Sequence, residues 1–170
     1  MAEKIKINCL DPNSIQEAID KLEKKKKTID QKAESLVRLL TQLGLEKARD
    51  IIPIDTGVAQ ASIIGYVDES EGVGIIRAGG YCKYIEFGTG VKGSSNKHPS
   101  AEYMAIMGWA YNVGATIFTT KDGREGWYYP ADDGTWKFTQ GIPSRPFMYE
   151  TAQYLKKEAK RLAKEIFKDG

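Results

Sequence analysis

The sequence predicts an α+β fold, with a long N-terminal helix and a C-terminal amphipathic helix packed on one face of an antiparallel β-sheet meander. Apolar residues recur at helical spacing near both ends of the chain, whereas its middle is rich in glycine, aromatic residues and short β-rich runs. Each helix has one apolar stripe and the sheet needs one covered face, so packing both helices on that face is the simplest arrangement. The length of 170 residues predicts a single domain over 1–170.

Composition narrows the classes of function. Hydrophobic residues make up 41% and charged residues 28%, and the net charge of +2 is too even to indicate nucleic-acid or membrane binding. One histidine and two cysteines leave too few side chains for the usual metal sites or a histidine-based triad, so we expect no metal, no cofactor and no enzymatic activity. The sequence shows neither a signal peptide nor an apolar run long enough to span a membrane, so we expect no membrane association.

The N-terminal region predicts a strand and then one long helix, or two helices in tandem. Residues 4–9 alternate between polar and apolar side chains, which is typical of a short strand. Asp11 and Pro12 form a helix start, and the helix should end near Ile51 because Pro53 disfavours helical geometry before it. Apolar residues recur at helical spacing along this segment: Ile15, Ile19, Leu22, Ile29, Ala33, Leu36, Val37, Leu40 and Leu43.

The run Lys24–Lys27 interrupts that apolar stripe and has two interpretations. Four consecutive lysines could bind nucleic acid as part of a binding module. The simpler interpretation is a solvated helix surface, since acidic residues flank the run and no aromatic residues interleave with it.

The middle of the chain predicts two hairpins. Residues 62–67 and 74–78 are β-rich and are joined by an acidic turn. A polar, flexible loop is expected over 88–97 and a short helix over 102–109. A second hairpin carries aromatic residues that are candidate interface residues: Trp127, Tyr128, Tyr129, Trp136 and Phe138. The terminal helix follows, with an apolar face from Phe147 to Ile166.

Asp55-Thr56-Gly57 is the sharpest short motif. The same tripeptide forms the active site of aspartic proteases, and a retroviral-type enzyme would pair two copies so that their carboxylates share a proton. The alternative is a connector, in which Asp55 or Thr56 caps the next turn and Gly57 adopts an unusual φ. The preceding segment is helical here, which favours the connector.

Glu86 stands out as a carboxylate among apolar and aromatic neighbours. It either points to solvent or is buried and paired with Arg145. His98 lies beside a proline in a polar segment, and we expect it to be exposed. The glycines of residues 88–93 resemble a phosphate-binding loop, but the Gly-Lys-Ser/Thr ending is missing, which favours a glycine-rich turn.

Three segments occur in an order that resembles a known family. They are Pro53-Ile54-Asp55-Thr56-Gly57 with the following Ser62, then Tyr84-Ile85-Glu86-Phe87-Gly88-Thr89, and then Arg145-Pro146-Phe147 at the last helix. Together they resemble the tail-completion and head–tail joining proteins of tailed bacteriophages, which are often described as minor tail components. The resemblance spans about residues 30–165 and is interrupted by a segment at 91–136, which we interpret as an insertion within the domain.

The resemblance implies a non-enzymatic virion protein of a phage or prophage. It would form a homo-oligomeric ring, with six-fold symmetry expected, at the neck or the tail end. Its partners would be the tail tube and head connector proteins, with DNA passing through the ring and no base readout. It would be found in the virion, and in the host bacterial cytoplasm during assembly. The motif residues would then be structural.

Overall fold

The computed structural model describes residues 4–8, 10–112, 114–131 and 133–168. Its elements in chain order are α1 (Pro12–Ile51), α2 (Val58–Ala61), β1 (Ile64–Asp68), β2 (Val73–Arg77), α3 (Cys82–Phe87), α4 (Gly90–Ser95), α5 (Ala101–Ile106), β3 (Phe118–Thr119), β4 (Glu125–Pro130), β5 (Trp136–Thr139) and α6 (Phe147–Ile166). The α+β class is confirmed. The strands divide between a two-stranded sheet, β1-β2, and a three-stranded antiparallel sheet, β3-β4-β5.

Helix α1 begins and ends where its sequence signals place it. The Asp11 carboxylate accepts a hydrogen bond from the Asn13 N–H at 3.0 Å, and Pro12 occupies the first helical position. The helix ends at Ile51, two residues before Pro53. The predicted strand over residues 4–9 is wrong for residues 4–8, which are mostly exposed and form no regular structure; Cys9 lies outside the described residues.

The chain divides into two compact units. The first consists of Met1–Gly44, Gly65–Ile76 and Tyr154–Gly170, and the second of Leu45–Ile64 and Arg77–Gln153. The predictions of a single domain and of an insertion at 91–136 stay predictions.

In the first unit, α1 and α6 pack against the β1-β2 hairpin. Val37, Leu40 and Thr41 of α1, Gly74 and Ile76 of β2, and Leu155 of α6 line one small cavity of about 180 Å³. Gly44 lies so close to Ile76 and Leu155 that a β-carbon there would meet both side chains. The apolar stripes of both helices therefore cover the same hairpin here.

The second unit contains the short helices, the three-stranded sheet and the first turns of α6. Its buried apolar side chains include Ala48, Ile52, Ile63, Cys82, Ile85, Phe87 and Phe147. One correction concerns a short element: residues 90–95, expected within a flexible polar loop, form helix α4. The aromatic segment before them, for which no structure was predicted, forms helix α3. The short helix expected over 102–109 is confirmed over Ala101–Ile106.

Candidate functional site

The second and third motif segments are joined by hydrogen bonds between residues about 55–60 positions apart. The Arg145 N–H donates to the Ile85 carbonyl at 2.8 Å, and the Thr89 N–H donates to the Ile142 carbonyl at 2.8 Å. The Ile142 N–H in turn donates to the Thr89 hydroxyl at 3.1 Å, and the Ser144 hydroxyl donates to the Glu86 carbonyl at 2.6 Å. These bonds fix the entry of helix α6 against helix α3.

Glu86 is buried and binds the N-terminus of α6. Its carboxylate accepts hydrogen bonds from the backbone N–H groups of Met148 at 2.8 Å and Tyr149 at 3.0 Å. Those groups belong to the first turn of α6, where N–H groups have no partner within the helix and the helix dipole favours a negative charge. Pro146 precedes the helix and has no side-chain acceptor, so Glu86 supplies the cap from a distant part of the chain.

His98 is the side-chain partner of Glu86, which corrects two predictions. Its Nε2 lies 3.0 Å from Glu86 Oε1, and its side chain is fully buried. The Ser100 N–H donates to Nδ1 at 3.1 Å, and Nδ1 also lies 3.3 Å from the Ser100 carbonyl oxygen. In the tautomer in which Nδ1 accepts, Nε2 carries the proton and donates it to Glu86. His98 was expected to be exposed, and that expectation is wrong. Of the two alternatives for Glu86, exposure to solvent is wrong, and the burial of the second alternative is observed with His98 and not Arg145 as the partner.

Aromatic rings enclose this polar pair. Phe87 is 2% exposed, and its ring centroid lies 5.0 Å from that of His98 and 5.1 Å from that of Trp109. Tyr84 contacts Trp109 at 5.6 Å, and the Trp109 indole N–H donates to the Gly88 carbonyl at 3.1 Å. The rings exclude water from the carboxylate, which strengthens its hydrogen bonds.

The first motif segment forms the turn between α1 and α2. Gly57 adopts a φ of 80°, as the connector interpretation requires, and precedes the first residue of α2. Neither Asp55 nor Thr56 caps α2, because Gly57 holds the cap position and no side chain bonds there; that prediction is wrong. Asp55 is exposed and follows a helix rather than the strand that a protease turn requires.

Ser62 holds the end of this segment close to the second motif. Its hydroxyl donates to the Ala59 carbonyl at 2.7 Å and accepts the Gly79 N–H at 3.2 Å. Cys82 Sγ lies 3.3 Å from the same hydroxyl. The Ile63 carbonyl accepts from the Arg49 guanidinium at 2.6 Å, which ties the segment back to the end of α1.

All three motif segments line one pocket of about 540 Å³, named here the motif pocket. Its walls are Pro53, Asp55, Thr56, Gly57, Val58, Ala59, Tyr81, Ile85, Ile142, Pro143 and Arg145. Arg145 is exposed and borders this pocket rather than pairing with Glu86. The mouth is apolar on several sides, since Val58 is 72% and Tyr81 66% exposed. A concave surface of this size fits a large side chain of a partner.

The glycine-rich segment is a packing element. Gly90 has a φ of 61°, and a β-carbon there would lie 2.5 Å from the Gln140 carbonyl oxygen and 2.6 Å from the Trp127 ring. A β-carbon on Gly93 would lie 2.9 Å from the Tyr111 ring. The glycines therefore allow α4 to approach the three-stranded sheet closely. The sequence predicted a glycine-rich turn here, whereas residues 90–95 are helical. Burial raises the pKa of the nearby Tyr111 hydroxyl.

The aromatic hairpin presents several rings to solvent. Trp136 is 68%, Tyr128 50% and Tyr129 42% exposed. Tyr128 stacks on Phe118 at 5.6 Å and meets Phe138 edge-on at 5.5 Å, whereas Trp127 is half-buried against Gly90. Tyr128 and Trp136 thus share one exposed face of the hairpin, whereas Tyr129 lies on the same face as Trp127. Asp132 in the turn lies outside the described residues.

Lys24–Lys27 are exposed on α1 and point to successive directions around the helix, because consecutive residues turn by about 100°. They do not form one basic face. Neither the burial of His98 against Glu86 nor the capping role of Glu86 was predicted from the sequence. Two signals were present: His98 is the sole histidine, and the helix after Pro146 begins without a side-chain cap from Pro146 itself.

Within the described residues, no group of three or more His, Cys, Asp or Glu side chains could hold a metal ion. None of the helices in that part of the chain is both long and apolar enough to cross a membrane. No protein-family model, curated protein or solved structure matches the chain.

Proposed function

We propose that this protein is a structural component of a phage or prophage virion that acts in tail completion or head–tail joining. It assembles as a ring with expected six-fold symmetry at the neck or tail end. Its partners are further copies of itself, the tail tube and the head connector, and DNA passes through the ring without base readout.

The convergence of the three motif segments on the motif pocket carries this proposal. They lie up to about 90 positions apart in the sequence, yet each contributes to the same walls. The second and third segments are also joined directly, through Glu86 and through the Arg145 N–H. A set of residues that resembles the family pattern thus serves one structural purpose: it holds a pocket and the entry of α6 in fixed geometry.

The exposure around the pocket supports a role in docking. Ile54 and Val58 are 65% and 72% exposed, and Tyr81 is 66% exposed. Contiguous apolar groups at a protein surface are typical of interaction sites. Arg145 adds a guanidinium that can bind a carboxylate of the partner.

Ring formation needs two different surfaces on each copy, because a heterologous contact closes only when one patch meets another on the neighbour. The motif pocket is concave, and the hairpin face with Trp136 and Tyr128 is a second exposed apolar surface of the same unit. Tyrosine and tryptophan are the side chains most enriched at the centres of protein interfaces.

The variant Val58→Asp tests the pocket as the docking surface. A charge at this rim position opposes burial of the pocket mouth, so we expect binding to purified tail tubes to weaken by about tenfold or more. Negative-stain electron microscopy and co-sedimentation with tail tubes measure the effect.

Val73→Asp is the matched control, because Val73 is also an exposed valine but lies on β2 and not in the pocket wall. Equal binding by both variants and the unaltered protein would contradict docking through the pocket. Acid-optimal proteolysis that is lost in Asp55→Asn would instead support the protease alternative.

A further inference from the structure

We propose that the N-terminal half of α1 pairs with the same segment of a second copy of this chain in a parallel, two-stranded coiled coil. The pairing segment is defined as residues 15–30. The pair relates two copies by a two-fold axis, so in a six-fold assembly it would join copies of two different rings and not neighbours within one ring. Its evidence comes from α1 alone.

The apolar stripe of α1 follows a seven-residue repeat. Taking Ile15 as position d, the d positions are Ile15, Leu22, Ile29, Leu36 and Leu43, and the a positions are Ile19, Lys26, Ala33 and Leu40. Polar residues occupy the outward b, c and f positions of the pairing segment. A repeat of 3.5 residues that keeps apolar side chains at a and d is typical of coiled coils.

In the part of the chain that the structure describes, the C-terminal part of this stripe is covered. Leu36, Leu40 and Leu43 are half-buried, and Leu40 lines the small cavity with residues of β2 and α6. In the pairing segment the same stripe is open to solvent: Ile15 is 41%, Ile19 43%, Leu22 55% and Ile29 47% exposed. The segment from Ile15 to Ile29 extends over about 21 Å, and an apolar face of that length on a soluble helix needs a partner.

Charges beside the stripe select both the partner and its direction. The e positions of the pairing segment are Gln16, Glu23 and Asp30, and its g positions are Lys25 and the buried Ala18. In a parallel pair, each g residue faces the e residue five positions later on the partner, so Lys25 meets Asp30 twice. An antiparallel pair would place lysine against lysine and acid against acid. The described part of the chain contains no ion pair at Lys25 or Asp30 that would compete.

Lys26 is the one charged residue at an a position of the segment. A single lysine at position a fixes the register and weakens the pairing, because its ammonium group must reach water past the apolar seam. In a two-stranded coil the ammonium group of a lysine at position a can reach water, whereas in larger bundles the a positions are enclosed. The lysine therefore favours two strands.

Cysteine cross-linking of the full chain tests the geometry. In a parallel pair, identical d positions face each other, so Leu22→Cys in a Cys9→Ser background should form a covalent dimer under mild oxidation. Lys24→Cys in the same background is the control, because position f points away from the seam. Cross-linking of Leu22→Cys alone is the expected result, and equal or absent cross-linking of both variants would overturn the proposal.

Sedimentation velocity of the full chain tests the energetics. Leu22→Glu should weaken self-association by about 100-fold, and Lys26→Ile should strengthen self-association by about tenfold or more, since it removes a charge from the seam.

The same measurement tests the charge pair beside the seam. Lys25→Glu should weaken self-association, and combining Lys25→Glu with Asp30→Lys should restore it. The opposite sign for Lys25→Glu would indicate an antiparallel pair, and association unchanged in all four variants would overturn the inference. If the coiled coil does not form, the proposed binding of tail tubes by the motif pocket is unaffected. The two proposals can therefore be disproved independently.

Discussion

Glu86 shows how a single side chain can organise a site without performing chemistry. Its carboxylate is 5% exposed and receives two backbone N–H groups and the His98 ring. Burial of a charge is costly unless hydrogen bonds replace the lost water, and here the α6 N-terminus and an imidazole N–H supply them. The result is a rigid connection between α3, the His98 segment and α6.

Glu86→Ala should lower the free energy of unfolding by about 3–5 kcal/mol, because it leaves His98 and two helix N–H groups buried without an acceptor. Chemical denaturation followed by circular dichroism measures the loss. Glu150→Ala, in the same turn of α6 but exposed, is the control and should change stability by less than about 1 kcal/mol. A Glu86→Ala protein as stable as the control would contradict the anchoring role.

Long elements were predictable because their signals are local and repeated. Helix α1 has several turns of apolar spacing, a capping Asp11 and a terminating Pro53, and the hairpins have acidic or aspartate-glycine turns. Helices α3 and α4 were not predictable in the same way, since six residues hold fewer than two turns and show no period. The partners of Glu86 are His98, 12 positions away, and the Met148 N–H, 62 positions away. Local sequence patterns do not reveal contacts over such distances.

The turn of the β1-β2 hairpin has a pH-dependent element. The Ser70 hydroxyl and the Glu71 and Ser70 N–H groups all donate to Asp68, which lowers the pKa of its carboxyl. A lowered pKa in the folded state means that the bonds stabilise the turn above the ordinary aspartate pKa and are lost as the pH falls through the lowered value.

Ser70→Ala should move the Asp68 pKa back towards its ordinary value, and carbon-detected NMR titration of the carboxyl group measures it. Ser94→Ala removes a hydroxyl from α4 instead and should leave the Asp68 titration unchanged. An unaltered Asp68 pKa in the Ser70→Ala protein would show that the hydroxyl bond is not its main cause.

At the scale of the whole molecule, the exposed apolar groups of the described residues include three surfaces: the motif pocket rim, the aromatic hairpin and the pairing segment of α1. A protein that works by docking needs such surfaces, since apolar area buried between molecules is the main driving force for association. The proposed virion role assigns the first two to ring formation and tail contact, and the inferred coiled coil uses the third.

Electron microscopy of particles produced without this protein tests the virion role most directly. If the proposed role is correct, deletion of the gene should produce full heads and separate tails that do not join or complete, and the gene supplied in trans should restore joining and completion. Intact infectious particles from the deletion would contradict it.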